Sequence, residues 1–293
     1  MKDTFTVATF NIFNSRTAIK NRNLTGDNID LLFTQEDSNY VDLSGTKLKK
    51  NNKNMSNMYV KVYSSDKIPV LETNKIKIFK KIKGTNNREA VIVNFKGLKI
   101  VGLHLEGGRF VDEELKNNFE ELLEYKMKLL KKVVDEDVDI IMGDFNSVFS
   151  SNKQTIDEIT KKIKKYDIDL QESLKGQYEY YTGDSLKFVK KINNKYTNKK
   201  QVNKWNLEPY KYLIDNGYKY LELEVKPINH PKITNARGNS IIDNIWYKPD
   251  KVKPLGKGKI MSQFEKINEW KNNKMYYKYS DHNPVIATFD LLN

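Results

Sequence analysis

Polar residues stand at one end of six apolar segments of this chain. Each segment has the length and apolar pattern of a strand, and each carries an acid, an amide or an imidazole where it begins or ends. These residues are Asn11, Glu36, His104, Asp144, Asn146, Asp243, Asp281 and His282. One such residue alone is usually a cap or a turn former. The whole set indicates a shared chemical site more than a series of separate caps.

Asp281 and His282 are adjacent, so their side chains would point to opposite faces of an extended strand. They can serve one site only from the mouth of a sheet. The chain has no cysteine, which excludes a disulfide scaffold, cysteine-ligated zinc and a thiolate nucleophile. Any catalysis must therefore use oxygen and nitrogen atoms.

The charge balance favours a polyanionic partner. The chain has 51 lysines and arginines against 38 acidic residues, a formal net charge of +13. Nucleic acid is the first candidate and anionic lipid the second. The alternative is a compositional bias of the source, as the many Lys/Asn runs suggest. Lysine-rich segments 46–53, 187–200 and 251–259 are predicted to be surface loops, and the last two to contact the substrate.

The apolar pattern predicts ten strands and few helices between them. One long amphipathic helix is predicted in "DEELKNNFEELLEYKMKLLKKVV", a shorter one near 155–173, and a hairpin turn at Lys96–Gly97. The predicted strands lie near residues 5–13, 29–35, 58–64, 75–82, 89–95, 98–105, 138–143, 218–225, 240–247 and 284–291. This pattern indicates two packed sheets, an α+β fold.

No Pro-, Gly- or Ser-rich linker divides the chain, so residues 1–293 are predicted to form a single domain. There is no run of about 18 apolar residues, and the N-terminal segment lacks the pattern of a secretory signal. We therefore expect an intracellular monomer without a membrane span.

Six ordered motifs resemble one known family. The stretches "ATFNI", "LLFTQE", "GLHLEGGR", "GDFNS", "IIDNIWY" and "SDHNPV" span residues 9–285. In this order they are similar to motifs of the endonuclease/exonuclease/phosphatase superfamily, which includes pancreatic-type DNases, abasic-site endonucleases, tyrosyl-DNA phosphodiesterases, inositol phosphatases and neutral sphingomyelinases. The resemblance implies a DNase I-like four-layer αββα sandwich of two mostly antiparallel sheets flanked by helices. It also places the active site at one end of that sandwich.

The resemblance further implies a metal-dependent phosphoric ester hydrolase using Mg²⁺ or Mn²⁺. Glu36 would be the principal metal ligand, with Asn11 and Asp281 completing or flanking the metal shell. Asp144 would orient and deprotonate the attacking water, and Asn146 would contact the phosphate or that water.

Two histidines would complete the site. His282 would meet a non-bridging oxygen or act as acid or base, held by Asp243. His104 would donate to the phosphate or protonate the leaving oxygen, with Glu89 as the candidate that orients it. Arg109 in "HLEGGR" is a further candidate for binding a phosphate.

Departures from the motifs bear on the substrate. Phe13 replaces an acid and His104 a tyrosine that are usual in abasic-site enzymes, and the blocks typical of inositol phosphatases are missing. The predicted function is hydrolysis of nucleic-acid phosphodiesters, with DNA as the first substrate. Processing of 5'-tyrosyl-DNA ends is one alternative, and phosphoinositide or sphingomyelin hydrolysis is another. Trp205 is a candidate for stacking bases, with core packing as the alternative.

Overall fold

Two sheets supply most of the secondary structure of this computed structural model. It describes residues 3–12, 16–21, 23–37, 41–51, 60–79, 87–107, 118–147, 199–224, 242–261, 266–271, 274–277 and 282–292. The strands are β1 (Thr4–Asn11), β2 (Leu31–Gln35), β3 (Leu48–Lys50), β4 (Val60–Ser65), β5 (Thr73–Ile78), β6 (Arg88–Phe95), β7 (Leu98–His104), β8 (Ile140–Asp144), β9 (Lys219–Tyr220), β10 (Asp243–Tyr247), β11 (Val252–Pro254), β12 (Lys259–Ile260), β13 (Lys266–Lys271), β14 (Lys274–Tyr277) and β15 (Val285–Leu291). The helices are α1 (Ala18–Asn21), α2 (Phe119–Asp135) and α3 (Lys199–Asp215).

The first sheet has the strand order β11-β15-β1-β2-β4-β3, with β12 also paired to β15. The second has the order β5-β6-β7-β8-β10-β9, and β13 pairs with β14 in a separate hairpin. Among the described pairs, β1 with β2 and β7 with β8 are parallel, and the others are antiparallel. The predicted class of two mostly antiparallel sheets is confirmed.

Side-chain alternation on β1 explains how the sheets pack. Phe5 and Val7 belong to the core shared with the second sheet, whereas Ala8 and Phe10 join a separate cluster on the other face of β1. Because successive side chains point to opposite faces of a strand, both faces of this sheet are buried. Ile19 of α1 lies in the outer cluster, so α1 covers the outer face of the first sheet.

The second sheet carries the other helical layer. Helix α2 packs on β5 and β6 and against α3, burying the apolar stripe that its sequence predicts. Its buried residues are Phe119, Leu122, Leu123, Tyr125, Lys126, Met127, Leu129, Leu130 and Val133. The sandwich therefore has helices outside both sheets. None of the helices in the described segments is long and apolar enough to cross a membrane.

Within the described residues the ten predicted strands and the long helix are confirmed with shifted ends, and residues 112–117 of the predicted helix lie outside them. The turn at Lys96–Gly97 is confirmed too, because both residues have a positive φ, as a tight hairpin requires. Segments 46–53 and 251–259 are not simply loops, since they contain β3, β11 and the start of β12. Short lysine-bearing edge strands look like loops in sequence. Helix α3 was not predicted, because lysines, asparagines and Pro209 interrupt the apolar pattern of its sequence. The helix near 155–173 and segment 187–198 lie outside the described residues.

Candidate active site

The register of the second sheet brings three predicted site residues into one row. His104 pairs with Asp144 across β7 and β8, and Asp144 pairs with Asp243 across β8 and β10. Directly paired residues of adjacent strands present their side chains on the same face. All three are at least 96% buried. The row therefore forms a buried polar strip at one end of the sheet.

Asn11 joins this row to the first sheet. Its Nδ2 donates to Asp144 Oδ2 at 3.0 Å and to Glu36 Oε1 at 3.2 Å. Asn11 and Phe5 lie on the same face of β1, toward the second sheet, because their positions differ by an even number of residues. One amide thus holds a carboxylate from each sheet.

Two imidazoles flank Asp144. His282 Nδ1 lies 2.8 Å from Asp243 Oδ2, which can accept a hydrogen bond from it, and His282 Nε2 lies 3.9 Å from Asp144 Oδ2. His104 Nε2 lies 3.5 Å from Asp144 Oδ2 and 3.9 Å from Glu36 Oε1. Asp144 is therefore the centre of the arrangement, with both histidines, Asn11 and Asp243 around it.

Glu36 and Asn146 both have left-handed backbone, with φ of 50° and 46°. Glutamate seldom adopts this conformation, and asparagine tolerates it better. Each residue lies just beyond a strand end, so the backbone turns sharply where the side chain must face the site. Such strained positions persist only when their surroundings hold them, and they concentrate at functional sites.

The Glu36 turn, residues 34–37, is held by a buried ionic network on the outer face of the first sheet. Lys61 Nζ donates to Asp37 Oδ1 at 2.8 Å, and both side chains are at most 1% exposed. Tyr63 and Thr34 donate hydroxyl hydrogen bonds to Asp37 Oδ2 at 2.7 and 2.6 Å. The left-handed residue allows Glu36 to enter the site while Asp37 turns back into this network.

The Asn146 turn, residues 144–147, is held from α2 and α3. Lys126 Nζ donates to Asn146 O at 2.8 Å and to Ser147 Oγ at 2.6 Å. Trp205 Nε1 also donates to Asn146 O, at 2.9 Å, and Tyr210 donates its hydroxyl to Ser147 O. Trp205 is 1% exposed with Lys126 Nζ above its ring. Trp205 is therefore a packing residue and does not stack bases.

Within the turn, the backbone of Asn146 contacts the Asp144 side chain, and the Asn146 side chain contacts the loop after β7. Its backbone N–H donates to Asp144 Oδ1 at 2.8 Å, and its Nδ2 donates to Leu105 O at 3.0 Å. Gly143, with φ of 145°, has no room for a side chain, because a Cβ would lie 2.0 Å from Leu103 O. This glycine permits the close approach of β7 to β8 that brings His104 beside Asp144.

Burial and neighbouring charges set the protonation of the central groups. Burial and the nearby Asp243 raise the pKa of Asp144 to about 7, against the opposing effects of His282 and of hydrogen bonds from Asn11 and Asn146. Burial, Arg88 and His282 hold the pKa of His104 well below its usual value. The site therefore holds a carboxyl that can exchange a proton near neutral pH beside a neutral imidazole.

Arg88, and not Glu89, is the partner of His104. Arg88 Nη1 lies 3.2 Å from His104 Nδ1, and its guanidinium makes a bidentate pair with Glu106 at 2.8 and 3.1 Å. Glu89 instead faces Lys77, its register partner on β5, with the charged atoms 3.4 Å apart. This corrects the prediction that Glu89 orients His104. Lys77 pairs with the Glu89 carboxylate, and the longer side chain of Arg88 reaches the His104 ring.

The oxygen donors beside Asn11 fit a hard divalent cation. The Glu36 side chain is 26% exposed, so its carboxylate is open to solvent and ligands, and Asp144 adds a second carboxylate. Asp144, Asp243 and His282 also bring potential ligand atoms within 4.8 Å of one another. We favour the side of the site formed by Glu36 and Asn11, because Mg²⁺ prefers oxygen and the Asp243–His282 pair is already hydrogen-bonded. Asp281 and Arg109 lie outside the described residues.

No family model matches the chain, and no curated protein matches it. Solved structures do match across nearly its whole length. An endonuclease/exonuclease/phosphatase family protein from Bacteroides thetaiotaomicron is 13% identical, with a TM-score of 0.50, over 100% of this chain and 99% of its own. The 3'-5' exonuclease NExo from Neisseria meningitidis is 16% identical, with a TM-score of 0.53, over 97% and 99% of the two chains. The chain therefore has the DNase I-like fold of the endonuclease/exonuclease/phosphatase proteins, the fold that its motifs predict.

Proposed function

We propose that this chain is a divalent-metal-dependent phosphodiesterase that hydrolyses nucleic-acid phosphodiester bonds, with DNA as its principal substrate. The observation that carries the proposal is the convergence on Asp144 of groups from both sheets. Asn11, His104 and His282 all lie within 3.9 Å of Asp144 Oδ2. Hydrolysis of a phosphodiester needs a base for water, stabilisation of the phosphoryl charge and protonation or stabilisation of the leaving oxygen.

Asp144 is the base in this proposal. Because its pKa lies near 7, its carboxylate can accept a proton from water at neutral pH without being fully protonated beforehand. The Asn146 backbone N–H holds Oδ1, leaving Oδ2 toward Asn11 and the two histidines. The hydrogen bonds fix the carboxylate's orientation before the substrate arrives.

The histidines have different tasks. Asp243 holds His282 through Nδ1 and would stabilise the doubly protonated ring, whose Nε2–H can donate to a non-bridging phosphoryl oxygen. His104 is neutral beside Arg88, so it serves as a hydrogen-bond donor to the phosphoryl group more readily than as a strong acid. Arg88, which is paired with Glu106, orients the His104 ring through its contact with Nδ1.

Glu36 and Asn11 are the residues proposed to hold Mg²⁺ or Mn²⁺, and Asp281 is proposed to join them. A bound divalent cation would neutralise charge on the phosphoryl oxygens and lower the pKa of nearby water. The exposure of the Glu36 side chain supports its assignment as the principal ligand.

The choice of DNA rests on charge and on one neighbour. The formal charge of +13 favours a polyanion. A NExo structure bound to product DNA hairpin is described as a 3' phosphatase; it is 14% identical, with a TM-score of 0.52, over 98% of this chain and 99% of its own. We carry over from it only the substrate class. A monomeric, intracellular enzyme remains our proposal for its assembly and location.

The predicted lysine contacts of segment 251–259 find little support. Val252 pairs with Leu291 at the end of β15 remote from His282, so Lys251 and Lys253 lie far from the site. Lys257 pairs with Glu222 at 2.6 Å. Lys259 is exposed and pairs with Ile286 near the site end of β15, so it is the lysine of this segment that keeps the predicted role.

The test is a panel of labelled substrates with and without Mg²⁺: single-stranded and duplex DNA, RNA, 5'-tyrosyl DNA, a phosphoinositide, sphingomyelin and bis-p-nitrophenyl phosphate. We expect the highest kcat/KM on a DNA substrate, and no turnover in EDTA. Faster hydrolysis of either lipid would replace the nucleic-acid assignment. Preference for the 5'-tyrosyl end would make end processing the function of the site. Hydrolysis of none of them, with the fold verified by circular dichroism, would contradict a phosphodiesterase.

A further inference from the structure

We propose that one exposed face of β5, made by Lys75, Lys77 and the following Phe79, binds the nucleic-acid strand that leads into the active site. We call these three residues the β5 strip. The inference rests on the proposed function, because it names the surface by which that site would receive its substrate.

The β5 strip runs toward the site. Strand β5 is an edge of the second sheet and pairs antiparallel with β6, so its last residue, Ile78, lies opposite Arg88. Arg88 contacts His104. Since neighbouring strands are about 4.8 Å apart, Phe79 lies at the site end of the sheet about two strand spacings, or about 10 Å, to the side of His104. A strand lying on Lys75, Lys77 and Phe79 would reach the mouth of the site.

Alternation on β5 separates this face from the core. Ile76 and Ile78 are 8% and 3% exposed, whereas Lys75 and Lys77 are exposed. Phe79 follows Lys77 by two residues, so it continues the alternation of the two lysines. It is 70% exposed, the largest value among the exposed large hydrophobic residues of the described segments. An aromatic ring left in water beside an active site is a candidate binding residue, because burying it would otherwise stabilise the fold.

The chemistry of the strip fits a single strand better than other partners. Lysine ammonium groups meet backbone phosphates, and an exposed ring offers a stacking surface to any base. Lys77 lies 3.4 Å from Glu89, but its side chain is 47% exposed. An ion pair that open to solvent is weak and screened, so Lys77 can still meet a phosphate.

Edge lysines have another common task, which is to prevent sheet edges from pairing with other molecules. That task would explain Lys75 and Lys77 without any ligand. It would not explain an exposed phenylalanine at the end of the same face, since an apolar residue makes an edge more prone to association. The two explanations also predict different results when the residues are changed.

The experiment compares Phe79→Ala and Lys75→Gln/Lys77→Gln with a matched control, Lys251→Gln/Lys253→Gln. These control lysines are also exposed, at the far end of β15. Binding of a fluorescent 20-nucleotide single strand is measured by anisotropy over a salt titration in Ca²⁺, with no turnover required. The ratio of kcat/KM on DNA to kcat/KM on bis-p-nitrophenyl phosphate is measured in Mg²⁺.

We expect Phe79→Ala to weaken strand binding about 5- to 150-fold, the range measured for loss of one stacked base. The double lysine variant should reduce the salt slope by about 1.4, or 0.7 per lost phosphate contact on a single strand. Both should lower the ratio of kcat/KM values mainly through KM on DNA. The control pair should leave binding and the ratio at the wild-type values.

Wild-type strand binding by both strip variants would overturn the proposal, as would equal effects of the strip and control pairs. Aggregation of the double lysine variant with unchanged binding would assign the lysines to edge protection and also overturn it. If the wild-type chain hydrolyses neither substrate, the proposed function fails, and the anisotropy titration still decides whether the β5 strip binds a strand.

Discussion

The Glu36 turn and the Asn146 turn present the same backbone device at the mouths of the two sheets. Each turn has a residue with left-handed backbone just beyond a strand, and a fully buried lysine contacts each turn. Lys61 pairs with the carboxylate of Asp37, whereas Lys126 donates to a carbonyl and a hydroxyl. The first anchor is ionic, and the second contacts neutral groups.

The neutral contacts of Lys126 bear on its protonation. Burial holds the pKa of Lys126 well below its usual value, although Asp144 and Glu106 act in the opposite direction. A neutral amine can still donate both of its observed hydrogen bonds. The Asn146 turn therefore depends on hydrogen bonding and packing, and the Glu36 turn depends on a charge pair. The turn that carries the proposed metal ligand is the one fixed by charge.

The largest effect should come from Glu36 and Asp144, one in each turn, and from His282 beside them. Glu36→Gln and Asp144→Asn, with His282→Ala, should each lower kcat at least about 10²- to 10³-fold, as loss of a group that stabilises the transition state does. Their melting temperatures should stay near the wild-type value, because these side chains lie at strand ends.

Glu89→Gln is the matched control for these variants, as a buried carboxylate that contacts Lys77 and not His104. It should keep wild-type turnover on bis-p-nitrophenyl phosphate in Mg²⁺. A central variant with near wild-type turnover would remove its residue from the mechanism. A loss in Glu89→Gln would restore that residue to the site.

The next effect is on stability and separates the two anchors. Asp37→Asn or Lys61→Met should cost about 3–5 kcal/mol, because each leaves a buried charge without its partner. The double variant should recover much of that cost. Lys126→Met should cost about 1–2 kcal/mol, since it loses hydrogen bonds while its stem still packs on Trp205. Urea unfolding measures all four variants. Equal costs for Lys61→Met and Lys126→Met would erase the distinction between the anchors.

A smaller effect on activity is expected at Asp243, which belongs to neither turn. Asp243→Asn should keep the fold and lower kcat about 10- to 100-fold, in the range seen when a residue that orients a catalytic histidine is lost. The pH profile of kcat should shift, because the amide holds His282 differently. A pH profile identical to that of the wild type would make Asp243 a structural residue of β10.

The last expected effect is a pH dependence of stability at the Asn146 turn. Because the folded pKa of Lys126 is lowered, the unfolded chain binds more protons than the fold between that pKa and about 10.5. Wild-type stability should therefore rise with pH across this window relative to Lys126→Met, by at most about 1.4 kcal/mol per pH unit. Parallel urea titrations of the two proteins from pH 7 to pH 10 should show this difference. Parallel curves would mean that Lys126 stays charged in the fold.

Sequence patterns predicted the site residues at the strand ends, but not the buried lysines, Lys61 and Lys126, that hold the two turns. Asn11, Glu36 and Asp144 close apolar segments, which is a local pattern that also sets the strand and hence the face. The anchors depend on residues distant in the chain. Lys61 alternates with Val60 and Val62, as a solvent-facing residue of a strand would, and only the covering of the outer face buries it.

One anchor did leave a signal. Lys126 stands four residues from both Leu122 and Leu130, within the apolar stripe of α2, where a charged residue needs a buried partner. Arg88 and Glu106 gave none, because their pairing depends on how β6 meets the loop after β7. The predicted partner Glu89 was wrong by one residue. The Glu89 carboxylate pairs with Lys77 on β5, and the side chain of Arg88 reaches the ring of His104, a choice between neighbours that the sequence of β6 alone does not show.

Metal dependence tests the central claim most directly, since the proposed mechanism requires a divalent cation held by Glu36 of the Glu36 turn. The measurement is calorimetric titration of Mn²⁺ into wild-type and Glu36→Gln protein, paired with hydrolysis of bis-p-nitrophenyl phosphate before EDTA, in EDTA and after addition of excess Mg²⁺. We expect one site weakened at least about 10-fold in Glu36→Gln, and wild-type hydrolysis abolished by EDTA and restored by Mg²⁺. Undiminished hydrolysis in EDTA, or Mn²⁺ binding by Glu36→Gln at wild-type affinity, would contradict it.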